Sequence, residues 1–282
     1  MISQDYLNVF IDNALKEDIG DGDHTSLACI PSTKEGRSQL IIKEKGILAG
    51  VEIAKLALHR FDAAMKITDF INDGEKVFPG DISFTVEGRI ISMLQCERLV
   101  LNIMQRMSGI ATQTNIYAEK IAGTSAKLLD TRKTTPCMRL LEKEAVRIGG
   151  GSNHRIGLFD MVLIKDNHID FAGGIEKAIN AVDNYLKKNG KALKIEIEAR
   201  DLNDVERILK HGKINRIMFD NFDVETTRKA VEMVNGQYET ESSGSINLDN
   251  ILDYALCGVD FISVGALTHQ IKSLDMSLKA AE

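Results

Sequence analysis

Tyr6, Leu7, Phe10, Ile11, Ala14 and Leu15 recur at helical spacing and predict an amphipathic helix over residues 5–17, ended by Gly20-Asp21-Gly22. Arg37–Leu48 and Met65–Ile71 read as strands on either side of a helix at Val51–Phe61. Asp73-Gly74 and Pro79-Gly80-Asp81 read as turns, after which Ile82, Phe84 and Val86 alternate with polar residues as in a half-buried strand. Ser92–Thr112 is a long helical run whose apolar stripe is Leu99, Val100, Ile103, Met104 and Met107. The methionines there are core filler. Strands and helices mix in this part without a repeating unit, which predicts a small α+β domain.

From residue 127 the pattern changes. Apolar runs of strand length at Lys127–Asp130, Met161–Lys165, Lys194–Glu198, Arg216–Asp220, Tyr238–Ser242 and Phe261–Val264 alternate with amphipathic segments. Those segments predict helices at Met138–Ile148, Ile175–Lys188, Leu202–His211, Val224–Asn235 and Leu248–Cys257. Strand–helix alternation implies a parallel sheet, because parallel strands need crossovers. Six such units without a dinucleotide fingerprint favour a TIM-like α/β barrel over a doubly wound sheet.

The polar residues fall at one place in this pattern. The first strand ends in Asp130, Thr131, Arg132 and Lys133, and the second in Lys165, Asp166, Asn167 and His168. Glu198 and Asp220 end the third and fourth, Ser242-Ser243-Gly244-Ser245 the fifth, and Val264-Gly265-Ala266 the sixth. The active site of an α/β barrel lies at this strand edge, and phosphate commonly binds in the loops after its last two strands. In the third strand Lys194, Glu196 and Glu198 alternate with Ile195 and Ile197, so both glutamates are expected to point into the barrel. For Glu196 an internal ion pair with Lys194, or with a lysine of another strand, is an equal alternative to a ligand role.

Charge sharpens the picture. Residues 130–168 hold Arg132, Lys133, Arg139, Lys143, Arg147, Arg155 and Lys165 against five acids, in a chain of 282 residues with net charge −6. A cationic segment on an acidic background fits a small anionic ligand, whereas nucleic-acid binding would call for a basic domain. Arg139, Lys143 and Arg147 share one helix face, and Lys143 and Arg147 are expected at the surface or at a subunit interface. Apolar residues at 44% and charged residues at 27% describe a soluble globular protein. No apolar run nears a membrane span, and the N-terminus lacks the pattern of a secretory signal. Cys29, Cys96, Cys137 and Cys257 are scattered, without zinc-ligand spacing, which fits a reducing cytoplasm.

Many cations, two carboxylates and a phosphate cradle suit a multiply charged anion with Mg²⁺. A Schiff-base role for Lys165 on its barrel strand remains the rival chemistry, which borohydride trapping would reveal. A phosphosugar-binding protein without turnover is the non-enzymatic alternative.

Six blocks carry a more specific signal. DTRKTTP at 130–136, GGGSNHR at 149–155, VLIKDNHI at 162–169, IEIE at 195–198, DNF at 220–222 and FISVGALTH at 261–269 resemble quinolinate phosphoribosyltransferase, as do EDIGDGDHTS at 17–26 and ERLVLN at 97–102. A relative of the same fold that acts on another base, of the kind associated with molybdenum uptake, is the nearest alternative. The resemblance implies an N-terminal α+β open-sandwich domain over 1–110, joined by a C-terminal tail at 270–282. It also implies an incomplete TIM-like α/β barrel over 111–269. The implied reaction joins quinolinate to phosphoribosyl pyrophosphate with loss of pyrophosphate and CO₂.

The same resemblance implies that Arg132, Arg155 and Lys165, with His154 nearby, hold the two quinolinate carboxylates. Arg98 would reach that site from the other subunit of a homodimer, which could assemble further. Lys133 would face pyrophosphate, with Thr131 beside it. Glu198 and Asp220 would face the ribose hydroxyls and Mg²⁺, and Lys133, Glu198 and Asp220 would carry the catalysis. Ser243, Gly244 and Ser245, together with Val264, Gly265, Ala266 and His269, would bind phosphate. Neither nucleic acid nor membrane is an expected partner. Cys137 and Ser245 stand where the family commonly has glycine, which puts the geometry of those two loops in question.

Overall fold

A computed structural model describes residues 2–281. In chain order its elements begin with α1 (Gln4–Ile19), α2 (His24–Cys29), β1 (Glu35–Ile42), β2 (Gly46–Ile47), α3 (Val51–Phe61) and β3 (Lys66–Asp69). They continue with β4 (Lys76–Val77), β5 (Ile82–Arg89), α4 (Ile90–Lys120), β6 (Lys127–Leu129), α5 (Arg139–Ile148), β7 (Val162–Ile164) and α6 (Asp166–Ala172). Next come α7 (Ile175–Lys188), β8 (Ile195–Ala199), α8 (Leu202–His211), β9 (Arg216–Asp220) and α9 (Val224–Val234). The chain closes with β10 (Glu239–Ser243), α10 (Ile251–Ala255), β11 (Phe261–Ser263), α11 (Ala266–His269) and β12 (Met276–Ala281). No helix among the described residues is long and apolar enough to cross a membrane.

The chain divides into two compact units, residues 1–115 with 135–150 and 270–282, and residues 116–134 with 151–269. The first is an α+β unit of open-sandwich type. Its four-stranded antiparallel sheet runs in the order β12-β1-β5-β3, with β2 and β4 paired separately. The tail strand β12 pairs with β1 from Arg37↔Ala281 to Ile42↔Met276. The helices bury their stripes as their spacing requires: Val51, Ile53, Ala54, Ala57 and Leu58 on α3, and Val100, Ile103, Met104, Met107 and Ile110 on α4. Arg37–Leu48 is not one strand. It breaks between Ile42 and Gly46, and its end pairs with β4 instead. Short α2, unforeseen from the pattern, is nucleated by Asp23, whose carboxylate accepts the Ser26 N–H at 3.0 Å.

Residues 135–150, which the strand–helix rhythm assigns to the barrel, group instead with the first unit. Fully buried Glu142 of α5 accepts from Arg106 Nε of α4 at 2.7 Å and from the Thr135 N–H at 3.1 Å. Lys143 is buried rather than at the surface, because α5 turns that side inward; Arg147 is exposed and pairs with Glu144 at 2.6 Å. At the end of α5 a Cβ on Gly149 would meet the Ala111 carbonyl oxygen at 2.4 Å. Gly149→Ala is therefore expected to destabilise the fold by about 3 kcal/mol through overpacking against rigid backbone. Urea unfolding checks this, and an unchanged midpoint would contradict the packing described.

The second unit is an incomplete α/β barrel. Six parallel strands run in the order β6-β11-β10-β9-β8-β7, and edge strand β6 gains a single parallel bridge, Leu129↔Ser152. Its register places Glu196 beside Arg216 and Arg216 beside Glu239. One step up, Glu198 and Glu241 flank Met218, and Asp220 pairs with Ser243 at the top. Alternate residues therefore stack in layers on one face.

Candidate active site

β6 is buried through Leu128 and Leu129 and then releases Asp130, Thr131, Arg132 and Lys133 at its C-terminal end. Asp130 is fully buried. One carboxylate oxygen accepts the backbone N–H of His154 at 2.8 Å, and the other accepts Asn153 Nδ2 at 2.6 Å. It thus ties the GGGSNHR segment to the strand end.

That tie brings Arg155 near Arg132. Arg155 is 9% exposed; burial and then the Arg132 charge pull its guanidinium below the usual arginine range, against the counter-pull of Glu196, Asp160 and Glu198. Its Nη1 donates to the Met161 carbonyl at 3.2 Å. The Nε of Arg132 is buried without a hydrogen-bond partner among the described residues. A buried guanidinium at Arg155 with the like charge of half-buried Arg132 near it, and an unmet donor at Arg132 Nε, call for an anion, and paired carboxylates match their forked geometry.

The next strand ends supply the acids. Glu198 is 6% exposed and accepts from Lys165 Nζ at 3.1 Å and from the Asp166 N–H at 3.0 Å. Lys165 itself is exposed, and its backbone N–H donates to His168 Nδ1 at 2.9 Å where α6 begins. Partly exposed Asp220 ends β9, two residues beyond the Met218 level at which Glu198 pairs. These two carboxylates are hard oxygen donors of the kind Mg²⁺ takes.

The last two strand ends form small-residue loops. Gly244 has φ +92°, and a Cβ there would lie 2.2 Å from Asn221 Oδ1 and 3.0 Å from the Asn221 backbone nitrogen, so glycine alone fits. Ser245 at φ 54° and Cys137 at φ 63° also adopt the left-handed conformation. The two loops thus keep the geometry of a glycine while carrying side chains, at a cost of about 1 kcal/mol each. At Gly265 an added Cβ would come within 3.1 Å of Lys133 Cδ and 2.9 Å of His269 Nε2. Thr268 Oγ1 donates to the Lys133 carbonyl at 2.8 Å, and the Thr131 hydroxyl accepts the Lys133 N–H at 3.0 Å. Val264 is buried, its N–H bonded to the Leu129 carbonyl at 3.0 Å, and Ala266 opens α11. Lys133, Gly265 and His269 therefore converge. Arg98 is exposed on α4 in the first unit.

Beneath the strand ends lies a cluster that the sequence pattern showed only in part. Glu196 and Glu241 are fully buried, with His154 Nε2 at 2.9 Å and 3.5 Å from them. The imidazole approach is oblique, a close electrostatic contact rather than an aligned hydrogen bond. Arg216 Nη1 donates to Glu241 at 2.9 Å and lies 3.8 Å from Glu196. The partner of Glu196 is thus not Lys194, which is exposed and pairs with Glu239 at 3.4 Å. Burial pushes both carboxyls above the ordinary range; Arg216 opposes the shift on each, and Glu196 adds to it for Glu241. The atoms of His154, Glu196 and Glu241 lie within 4.8 Å of one another, close enough to grip a metal ion. Arg216 already supplies the positive charge there, so these residues fit a cation site poorly.

The sequence matches the quinolinate phosphoribosyl transferase N-terminal domain over residues 23–108 and the C-terminal domain of the same family over residues 110–279. Quinolinate phosphoribosyltransferase (decarboxylating) 1b of Nicotiana tabacum is 46% identical over 281 residues, spanning 94% of this chain and 80% of its own. A probable nicotinate-nucleotide pyrophosphorylase (carboxylating) of Bacillus subtilis is 37% identical, spanning 96% of this chain and 92% of its own. Among solved structures, NadC from Streptococcus pyogenes superposes with TM-score 0.93 at 34% identity, covering 100% of this chain and 99% of that one. The nicotinate-nucleotide pyrophosphorylase of Francisella tularensis gives 0.92 at 38%, covering 100% and 98%. With both domains matched and the fold shared over full length, the chain belongs to the quinolinate phosphoribosyltransferase family.

Proposed function

We propose that this protein transfers phosphoribose from phosphoribosyl pyrophosphate to quinolinate with decarboxylation, a step of de novo NAD biosynthesis. The products are nicotinate mononucleotide, pyrophosphate and CO₂. The observation that carries this reading is buried Arg155 beside the charge of half-buried Arg132, with its unmet donor at Nε. Adjacent carboxylates on a planar ring are the ligand that satisfies both forks at once. Lys165 completes the dicarboxylate grip from the next strand end, while Glu198 holds its ammonium in place.

Lys133, gathered with Gly265 and His269, faces the pyrophosphate, and Thr131 orders its backbone. The small-residue loops at Ser243–Ser245 and Val264–Ala266 cradle phosphate. Glu198 and Asp220 face the ribose hydroxyls and hold Mg²⁺, which neutralises the leaving group when bound. As pyrophosphate departs, positive charge grows on the ribose, and the same carboxylates stabilise it. The ribosylated pyridine nitrogen then stabilises the carbanion left by CO₂ loss, so no protein nucleophile is needed.

Arg98, exposed on α4, reaches the site of a second copy in a homodimer. The free thiols of Cys29 and Cys137 are exposed and suit a reducing compartment such as the cytoplasm. Incubation with quinolinate, phosphoribosyl pyrophosphate and Mg²⁺ tests the reading. Quinolinate should be consumed, and chelation by EDTA should stop it. Turnover with another phosphoribosyl acceptor but not quinolinate would overturn it in favour of a relative specific for a different base.

A further inference from the structure

The buried cluster under the strand ends is larger than an ion pair requires, and its contacts lead to the site. Arg216 on β9 bonds Glu241 on β10 and lies beside Glu196 on β8. Both carboxylates face His154 Nε2, at 2.9 Å and 3.5 Å. The other ring nitrogen of His154, Nδ1, accepts the backbone N–H of Arg155 at 2.7 Å. Because Nδ1 is an acceptor, a neutral ring carries its proton on Nε2, facing the carboxylates. The His154 backbone N–H is held in turn by Asp130 at 2.8 Å. Both ring nitrogens therefore face groups inside the protein, Nδ1 a backbone N–H and Nε2 the two carboxyls.

What His154 does hold is the backbone at Arg155. That residue needs holding, because like charges at Arg132 and Arg155 push apart. A site that keeps two guanidiniums together must fix them from behind, as outer-shell partners fix first-contact groups elsewhere.

We propose that Arg216 and Glu241 are positioning residues for the dicarboxylate site: through Glu196 and His154 they fix the backbone at Arg155 and hold its guanidinium beside Arg132. This rests on the quinolinate reading given above. It assigns His154 a part in the support of Arg155. It also explains why a guanidinium and two carboxyls are buried in the barrel interior, where apolar residues would pack more cheaply.

The test is calorimetric titration of the full-length protein with quinolinate, together with steady-state KM for phosphoribosyl pyrophosphate. Glu241→Gln keeps the size of the side chain and removes its charge. It is expected to weaken quinolinate binding about tenfold, in line with the loss of an outer-shell partner, while the KM for phosphoribosyl pyrophosphate stays within about twofold. An unchanged quinolinate affinity overturns the proposal. So does a parallel loss of both constants with a lowered melting temperature, the mark of a purely structural role. Should Glu241→Gln fail to fold, Arg216→Lys, which keeps the charge and loses the fork, is measured with the same expectation. Failure of both to fold assigns the cluster to stability alone and overturns the proposal. Wild-type protein that does not bind quinolinate would sink the functional reading and this inference with it, whereas wild-type binding with an unaffected Glu241→Gln sinks only the inference.

Discussion

Arg132→Ala is expected to reduce kcat/KM for quinolinate by about 4 kcal/mol, on the order of a thousandfold, the usual cost of truncating one partner of a desolvated charge pair. The fold should not suffer. Arg132 has a buried Nε without a partner and a like charge in Arg155 close by, so its removal deletes repulsion rather than a favourable contact. The melting temperature of the alanine variant should match the wild type or exceed it slightly. Circular dichroism melts beside a quinolinate titration read the two effects separately. A variant that loses binding only because it unfolds would make Arg132 a structural residue and remove the central cation from the site.

Glu198→Gln is the second large effect, and it should appear in kcat. The carboxylate is 6% exposed at the top of β8, and it faces the place assigned to the ribose. Loss of one preorganised charge aimed at a developing cation costs about a hundred- to thousandfold in kcat. The amide can still accept the Asp166 N–H, so the local backbone keeps its anchor. The ion pair with Lys165 is lost, but the Lys165 side chain is 48% exposed and stays solvated, so stability should fall by no more than about 1 kcal/mol. Single-turnover rates and urea unfolding check the two halves. A change confined to KM would move Glu198 out of catalysis and into ground-state binding.

Much of this site can be seen in the sequence because the barrel rhythm reports it. Arg216–Asp220 is found with both its bounds, since an apolar run with an acid at its end is bracketed by clear helices. The same rhythm puts Lys165, Glu198 and Asp220 at one edge, where the structure has them. The rhythm misleads at residues 135–150, where a strand–helix pattern continues although Glu142 and Gly149 pack on α4. It misses α6, because the Asp166-Asn167-His168 start has no apolar period and is set by a backbone bond to His168. It also misses Arg216 and Glu241. Alternation within one strand marks Glu196 as inward but does not name its partner. That takes the register across three strands, Glu196↔Arg216↔Glu239, and a one-residue shift would exchange the faces. The GGGSNHR block is the other case, where the sequence singles out Arg155 with His154 nearby but does not show that Asp130 and the buried carboxyls hold them.

The left-handed residues show what composition hides. Cys137 and Ser245 look like departures from a glycine-based design, yet the backbone keeps the glycine conformation at both. Loop geometry is thus retained at a modest energetic cost, and no charged group of the site is lost.

The most direct measurement is product stoichiometry. Purified protein with quinolinate, phosphoribosyl pyrophosphate and Mg²⁺ should release pyrophosphate and CO₂ in equal amounts as nicotinate mononucleotide accumulates. Pyrophosphate without CO₂, or no turnover of quinolinate at all, would contradict the assignment of the Arg132–Arg155 pocket to a dicarboxylate that loses one of its two carboxyl groups.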